Sequence, residues 1–138
     1  MTINRLKGGL VDHSAPLSIT SDGKTYQGLA GDTLSSALLA NGRRLMGRSF
    51  KYHRPRGVIA AGSEEPNALV ELREGGRQEP NTRATTVELF NGLVAKSQNR
   101  IASLERDLMG VNDLFSNFLS AGFYYKTFMW PRAFWEKI

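Results

Sequence analysis

Fifteen consecutive residues, Arg43-Arg44-Leu45-Met46-Gly47-Arg48-Ser49-Phe50-Lys51-Tyr52-His53-Arg54-Pro55-Arg56-Gly57, concentrate the binding chemistry of this chain. They hold six of its 18 Lys/Arg residues and the rings of Phe50, Tyr52 and His53, with no carboxylate. Arginine forks grip carboxylate and phosphate at two points, and Gly57 allows close approach of backbone. A run of one charge repels itself. It is either a solvated face whose arginines pair with nearby acids, or a surface held against something negative. Elsewhere the chain has 12 Lys/Arg against 13 Asp/Glu, so the net charge of +5 is local. Arg48, Lys51, Tyr52, His53, Arg54, Arg56 and Gly57 are therefore expected to meet a neighbouring domain or subunit, or an anionic ligand.

Catalytic groupings are harder to assemble. His13 and His53 are the only histidines, and there is no cysteine. A metal site would need carboxylates placed beside them by chance, so none is expected. His53 has no partner acid in its own segment and reads as a hydrogen-bonding residue rather than a general base. Ser49 stands four residues before His53, but no strand-to-helix elbow supports a nucleophile there. Glu64-Glu65, ahead of Pro66, reads as a turn or as counter-charge for the arginines, not as an acid/base dyad. No catalytic residue is expected. Without cysteine, disulfides, thiolate zinc sites, cysteine-ligated iron–sulfur clusters and cysteine nucleophiles are excluded. No apolar run approaches the length of a membrane span, and the first ten residues lack the apolar block of a signal peptide. A cytoplasmic protein with no membrane partner is the expectation.

The elements that must position the basic run are legible in part. Residues 1–15 read as a polar arm. Pro16 to Thr20 alternates, Asp22-Gly23 signals a hairpin turn, and a second strand surrounds Tyr26. A ten-residue helix is expected from Asp32, its N-cap, to a stop at Asn41-Gly42, with Leu34, Ala37 and Leu38 on its buried stripe. Ala68 to Arg73 alternates again, and Thr85 to Phe90 is a further strand candidate. Between them, residues 43–66 form a connection with little regular pattern, and so long a loop is usually functional. Hairpin and helix together make an α+β unit of β-grasp type, assigned to residues 16–96.

Residues 97–138 differ. Nine of the 13 aromatic residues fall between Phe115 and Trp135. Ser103 to Leu119 has helical spacing; the segment from Gly122 to Pro131 has no polar face. Phe123, Tyr124, Tyr125, Phe128, Trp130 and Trp135 are expected to dock on another domain or subunit, although a core role for some of these rings stays open.

Several ordered blocks resemble a known family. They are Asn4 to Asp12, Gly31-Asp32-Thr33-Leu34, Gly47 to Gly57, Glu65 to Val70, and Ala121 to Phe128, and together they are similar to the start of the α subunits of bacterial heterotetrameric sarcosine oxidases. The resemblance implies an oxidoreductase complex that demethylates sarcosine to glycine with oxygen, giving hydrogen peroxide, and methylenetetrahydrofolate when tetrahydrofolate is present. It also implies FAD, FMN, NAD and zinc in the whole complex, with the other subunits and the rest of the α subunit as partners. The first domain of that family is similar to β-grasp domains that hold a two-iron two-sulfur cluster. This chain has no cysteines for one, so an electron carrier is not expected. It also lacks a Gly-x-Gly-x-x-Gly turn after a strand. The implied role is an N-terminal structural and assembly domain that binds no cofactor by itself. Two other readings are the first domain of a related amino-acid or opine dehydrogenase, and a basic nucleic-acid-binding module. The second is disfavoured because the positive charge is confined to one segment and no nucleic-acid motif is present.

Overall fold

The computed structural model describes residues 4–73, 75–100 and 103–107. The chain is α+β, as expected, and among the described residues one α-helix packs against a five-stranded sheet. Strand β1 (Asp12–Ser21) turns at Asp22-Gly23 into β2 (Lys24–Ala30). Both turn residues have positive φ, 50° and 77°, the conformation for which Asp-Gly is suited. β1 starts four residues before the expected Pro16, and its register with β2 shifts between Asp12 and Pro16. Proline has no N–H to give a ladder, which accounts for the irregularity there.

Helix α1 (Leu34–Ala40) is shorter than expected, and its N-cap is Thr33 rather than Asp32. Thr33 Oγ1 accepts the Ser36 amide at 3.2 Å, while Ser36 Oγ accepts the Thr33 amide at 3.0 Å. Asp32 does not cap because its carboxylate is turned back toward the chain that precedes it. The expected stripe of Leu34, Ala37 and Leu38 is fully buried.

The remaining strands are β3 (Leu45–Arg48), β4 (Pro55–Gly57), β5 (Leu69–Leu72), β6 (Glu79–Arg83) and β7 (Leu93–Ser97). The main sheet runs β2-β1-β7-β5-β6, with β7 parallel to β1 and the other neighbours antiparallel. The strand expected over Thr85–Phe90 is absent. Its backbone serves the helix start instead: Leu34 donates to the Val87 carbonyl at 2.9 Å, and Leu89 donates to the Asp32 carbonyl at 3.1 Å. Val87 and Leu89 are buried there without a ladder. The expected irregular 43–66 connection contains β3 and β4, which pair as a separate two-stranded sheet. Of the helix expected from Ser103, residues 104–106 form bends and Asp107 a bridge, with Arg48 holding the carbonyls of Leu104 and Glu105. The rest of that stretch lies outside the described residues.

Alternation along the strands builds the core. Ile19 on β1, Val70 and Leu72 on β5, and Leu93 and Ala95 on β7 face Leu34, Ala37 and Leu38 of α1, with Met46, Ala68, Ala84, Val87 and Leu89 closing the ends. Each large side chain buried in this way contributes roughly 1.5–3 kcal/mol. Gly28 on β2 passes so close to the helix that a Cβ would lie 3.0 Å from Ala37 Cβ and 2.8 Å from Leu89 Cδ1.

Candidate functional site

The basic segment is built as a small hairpin standing beside the main sheet. Arg48 ends β3, and its guanidinium points into the turn: Nη1 donates to the His53 carbonyl at 2.7 Å, and Nε to the Leu104 carbonyl at 2.8 Å. His53 has φ +53°, a conformation uncommon for a residue with a side chain, and Arg48 holds its carbonyl in that position. On the other side His53 Nδ1 meets Asp107 Oδ2 at 2.5 Å, and Arg48 Nε lies 3.7 Å from the same oxygen. The Asp107 side chain is fully buried. His53 therefore does have a partner acid, drawn from 54 positions away, where no local pattern could reveal it.

Ser49 Oγ accepts the Arg54 amide at 3.0 Å, and the Ser49 carbonyl accepts the His53 amide at 3.1 Å. These bonds close the turn, so Ser49 acts as a turn former, with the acid on the histidine ring serving the same hairpin. Tyr52 lies between two cations, with Arg54 Cζ 4.6 Å and Lys51 Nζ 5.3 Å from its ring centroid. Such stacking is worth about 0.5–1 kcal/mol at exposed sites and holds both cations at the ring. Gly57 is required where it stands: a Cβ there would come within 2.8 Å of the Arg44 carbonyl oxygen. Phe50, at the tip, is 74% exposed, and Ile59, just beyond β4, is 69% exposed. Beside the hairpin opens a groove of ≈ 330 Å³ lined by Phe50, Arg56, Asn67, Asn81, Gln98 and Asn99 among others.

The positive charge of the segment is partly consumed within the fold. Arg43 pairs with Asp22, donates to Ser21 Oγ at 2.9 Å, and lies 5.8 Å from the Tyr26 ring. Burial opposes ionisation of Asp22, but the Ser97 amide and Arg43 outweigh it and hold its carboxyl below the ordinary range. The aspartate of the hairpin turn thus ties the sheet to the start of the basic run.

Glu65 behaves differently from the expected counter-charge. It is completely buried, and its carboxylate meets no arginine. Oε2 accepts the amides of Ile59 and Ala60, each at 2.7 Å. Oε1 accepts those of Asn67 at 2.8 Å and Ala68 at 3.2 Å. Burial opposes the charge, yet these four N–H donors lower its pKa below the usual glutamate value. Arg83 Nε reaches only the Glu65 carbonyl, at 3.0 Å. The preceding residues do form the expected turn, a 3-10 segment at Gly62–Glu64.

Asp32 is the second buried carboxylate. Arg5 embraces it from Nη1 at 3.1 Å and Nη2 at 2.6 Å, Leu29 donates its amide at 2.9 Å, and Ser36 donates its hydroxyl at 2.8 Å. Burial works against ionisation here too, and Arg5, Leu29 and Ser36 together depress the pKa. Part of the expected arm is thereby clasped to the helix start. The expected docking rings Phe123, Tyr124, Tyr125, Phe128, Trp130 and Trp135 lie outside the described residues. Among the described residues, no group of three His, Asp or Glu could hold a metal ion, and no helix is long and apolar enough to cross a membrane.

Residues 14–100 match the family described as 2Fe-2S iron-sulfur cluster binding domain. Over 132 residues the chain is 66% identical to the sarcosine oxidase subunit alpha of Rhizobium meliloti (strain 1021), a match spanning 96% of this chain and 13% of that protein. The sarcosine oxidase subunit alpha of Corynebacterium sp. (strain P-1) is 44% identical over 88 residues, which cover 62% of this chain and 9% of the relative. The chain thus spans about an eighth, or less, of the length of the curated relatives it matches. Among solved structures, L-proline dehydrogenase from P.horikoshii aligns with a TM-score of 0.48 at 20% identity, over 63% of this chain and 16% of that one. A cluster of the kind the family is described by is held by cysteine thiolates. This chain has none. Its donor set does not fit the cluster.

Proposed function

We propose, from the premise that this chain belongs to the 2Fe-2S iron-sulfur cluster binding domain family, that it is a cluster-free N-terminal structural and assembly domain of a sarcosine oxidase α subunit. The observation that carries the reading is the 66% identity to one such subunit, taken with a cluster-family fold that has no thiolate to offer. The complex demethylates sarcosine to glycine with oxygen and tetrahydrofolate, giving hydrogen peroxide and methylenetetrahydrofolate. FAD, FMN, NAD and zinc reside in other parts of it, and the assembly works in the cytoplasm. In this reading the folded unit, expected over residues 16–96, also takes in the start of β1 from Asp12 and the end of β7 at Ser97, and the residues after it lead to the remainder of the subunit.

The basic hairpin is the contact surface. Arg48, His53 and Gly57 set its shape, while Lys51, Arg54 and Arg56, the first two stacked on Tyr52, carry charge beside the exposed Phe50 toward an acidic neighbour or an anionic ligand. Phe123, Tyr124, Tyr125, Phe128, Trp130 and Trp135 supply the apolar part of the same docking. Replacing Arg54 and Arg56 together by Ala in the assembled enzyme tests this. Subunit stoichiometry by light scattering and bound flavin by absorbance should both fall. Wild-type values for both would remove the hairpin from the assembly surface.

A further inference from the structure

Buried carboxylates are ordinarily matched to cations, but Glu65 is matched to main chain. Its two oxygens take the N–H groups of Ile59, Ala60, Asn67 and Ala68, all on the loop between β4 and β5. That loop is fixed from outside by Thr85 Oγ1 on the Gly62 carbonyl at 2.5 Å and by Arg83 Nε on the Glu65 carbonyl. Converging main-chain amides form concavities suited to anions, and such nests hold phosphates and iron–sulfur clusters.

The spacing gives the cradle a second meaning. A two-iron cluster of the plant type takes three of its thiolates from a C-x4-C-x2-C run. With Glu65 as the middle position of that frame, the outer positions are Ala60 and Ala68. Both of these residues also donate their amides to the Glu65 carboxylate. The outer positions carry methyl groups, the middle position carries the negative charge, and the frame ends where β5 begins at Leu69.

We infer that the Ile59–Ala68 loop is the cluster position of the family, and that the Glu65 carboxylate is a built-in anion occupying the amide cradle in the cluster's stead. The loop keeps its shape because an anion is still at its centre. The chain itself now supplies that anion, in place of an inserted cofactor. The same cradle, emptied of its side chain, is then a site for a small carboxylate.

Two experiments on the full chain test this. In Glu65→Ala the cradle loses its anion, and the thermal unfolding midpoint should drop by about 10 °C. Formate should restore much of the loss. Pivalate, with the same charge but too bulky for the void, should not, and wild type should respond to neither. A variant as stable as wild type, or one that responds equally to both anions, overturns the occupant role. Should Glu65→Ala not fold at all, recovery of soluble protein on refolding in formate, but not in pivalate, is the equivalent readout. Failure in both would overturn it.

The frame is tested separately. Ala60→Cys, Glu65→Cys and Ala68→Cys combined should bind one Cd2+ per chain, read by the thiolate-to-cadmium absorption band in an otherwise cysteine-free protein. The set shifted by one residue, Ile59→Cys, Glu64→Cys and Asn67→Cys, should not. Equal binding by both sets, or none by the first, removes the assignment of the loop as the cluster position.

Discussion

The clasp between Arg5 and Asp32 permits a sharp quantitative test. The Asp32 side chain is 1% exposed and that of Arg5 13%, with four donors converging on the carboxylate. Asp32→Ala removes the acceptor of all four and leaves a half-enclosed guanidinium without its acid. Breaking a buried pair from one side typically destabilises by about 3–5 kcal/mol, a large share of the roughly 5–15 kcal/mol that holds a domain folded. Arg5→Ala is milder, about 1.5–3 kcal/mol, because Leu29 and Ser36 still hydrate the carboxylate in effect. The double variant orphans neither charge, so its loss should be close to that of Asp32→Ala alone. The coupling energy is then about 1.5–3 kcal/mol, measured by urea denaturation of the four proteins in a double-mutant cycle. A coupling below about 0.5 kcal/mol would place the pair among ordinary surface ion pairs and refute the argument.

Acid should unfold this domain through three carboxylates. Asp22, Asp32 and Glu65 have folded pKa values below their ordinary ones. Each therefore adds stability that is fully present above the unfolded values, about 3.9 for Asp and 4.3 for Glu, and is lost as pH falls through the lower folded values. The unfolding midpoint should be level from neutrality to about pH 5 and then fall steeply; a midpoint unchanged down to about pH 3 would contradict it. Gly28→Ala should destabilise by about 1–3 kcal/mol in chemical denaturation through overpacking on Ala37 and Leu89, and wild-type stability would show that the helix can move aside.

Short-range signals carried the hairpin and the helix, because each rests on neighbours in sequence. Asp22-Gly23 needs only its own positive φ values, and Leu34, Ala37 and Leu38 need only one turn of spacing. β5 was legible for the same reason. β7 alternates buried Leu93, Ala95 and Ser97 with half-buried Val94 and Lys96, a signal present but overlooked beside the β-branched Thr85–Phe90 run. That run has strand composition, yet the helix start claims its hydrogen bonds. β6, with Glu79, Pro80 and Asn81, has edge-strand chemistry that no hydrophobic pattern would reveal. At the basic segment, residue types pointed to anions, while the folded chain uses Arg43 and Arg48 internally. Their partners, Asp22, Leu104 and Glu105, are supplied by distant parts of the chain. Glu65 resembled any surface acid in sequence. Only the loop's closure around it distinguishes it.

The parallel pairing of Ile19 with Leu93 has a consequence for how the protein is born. The strand that completes the sheet's centre is the last of the sheet in chain order, so it is synthesised after all the others. Until then the first hairpin and β5 have no shared neighbour, and the apolar faces of both stand open. Long-range closure of this kind is slow and exposes the nascent chain to wrong association. The polar residues of β6, at the sheet's edge, and the charged 43–57 run are the kind of surface that opposes such association.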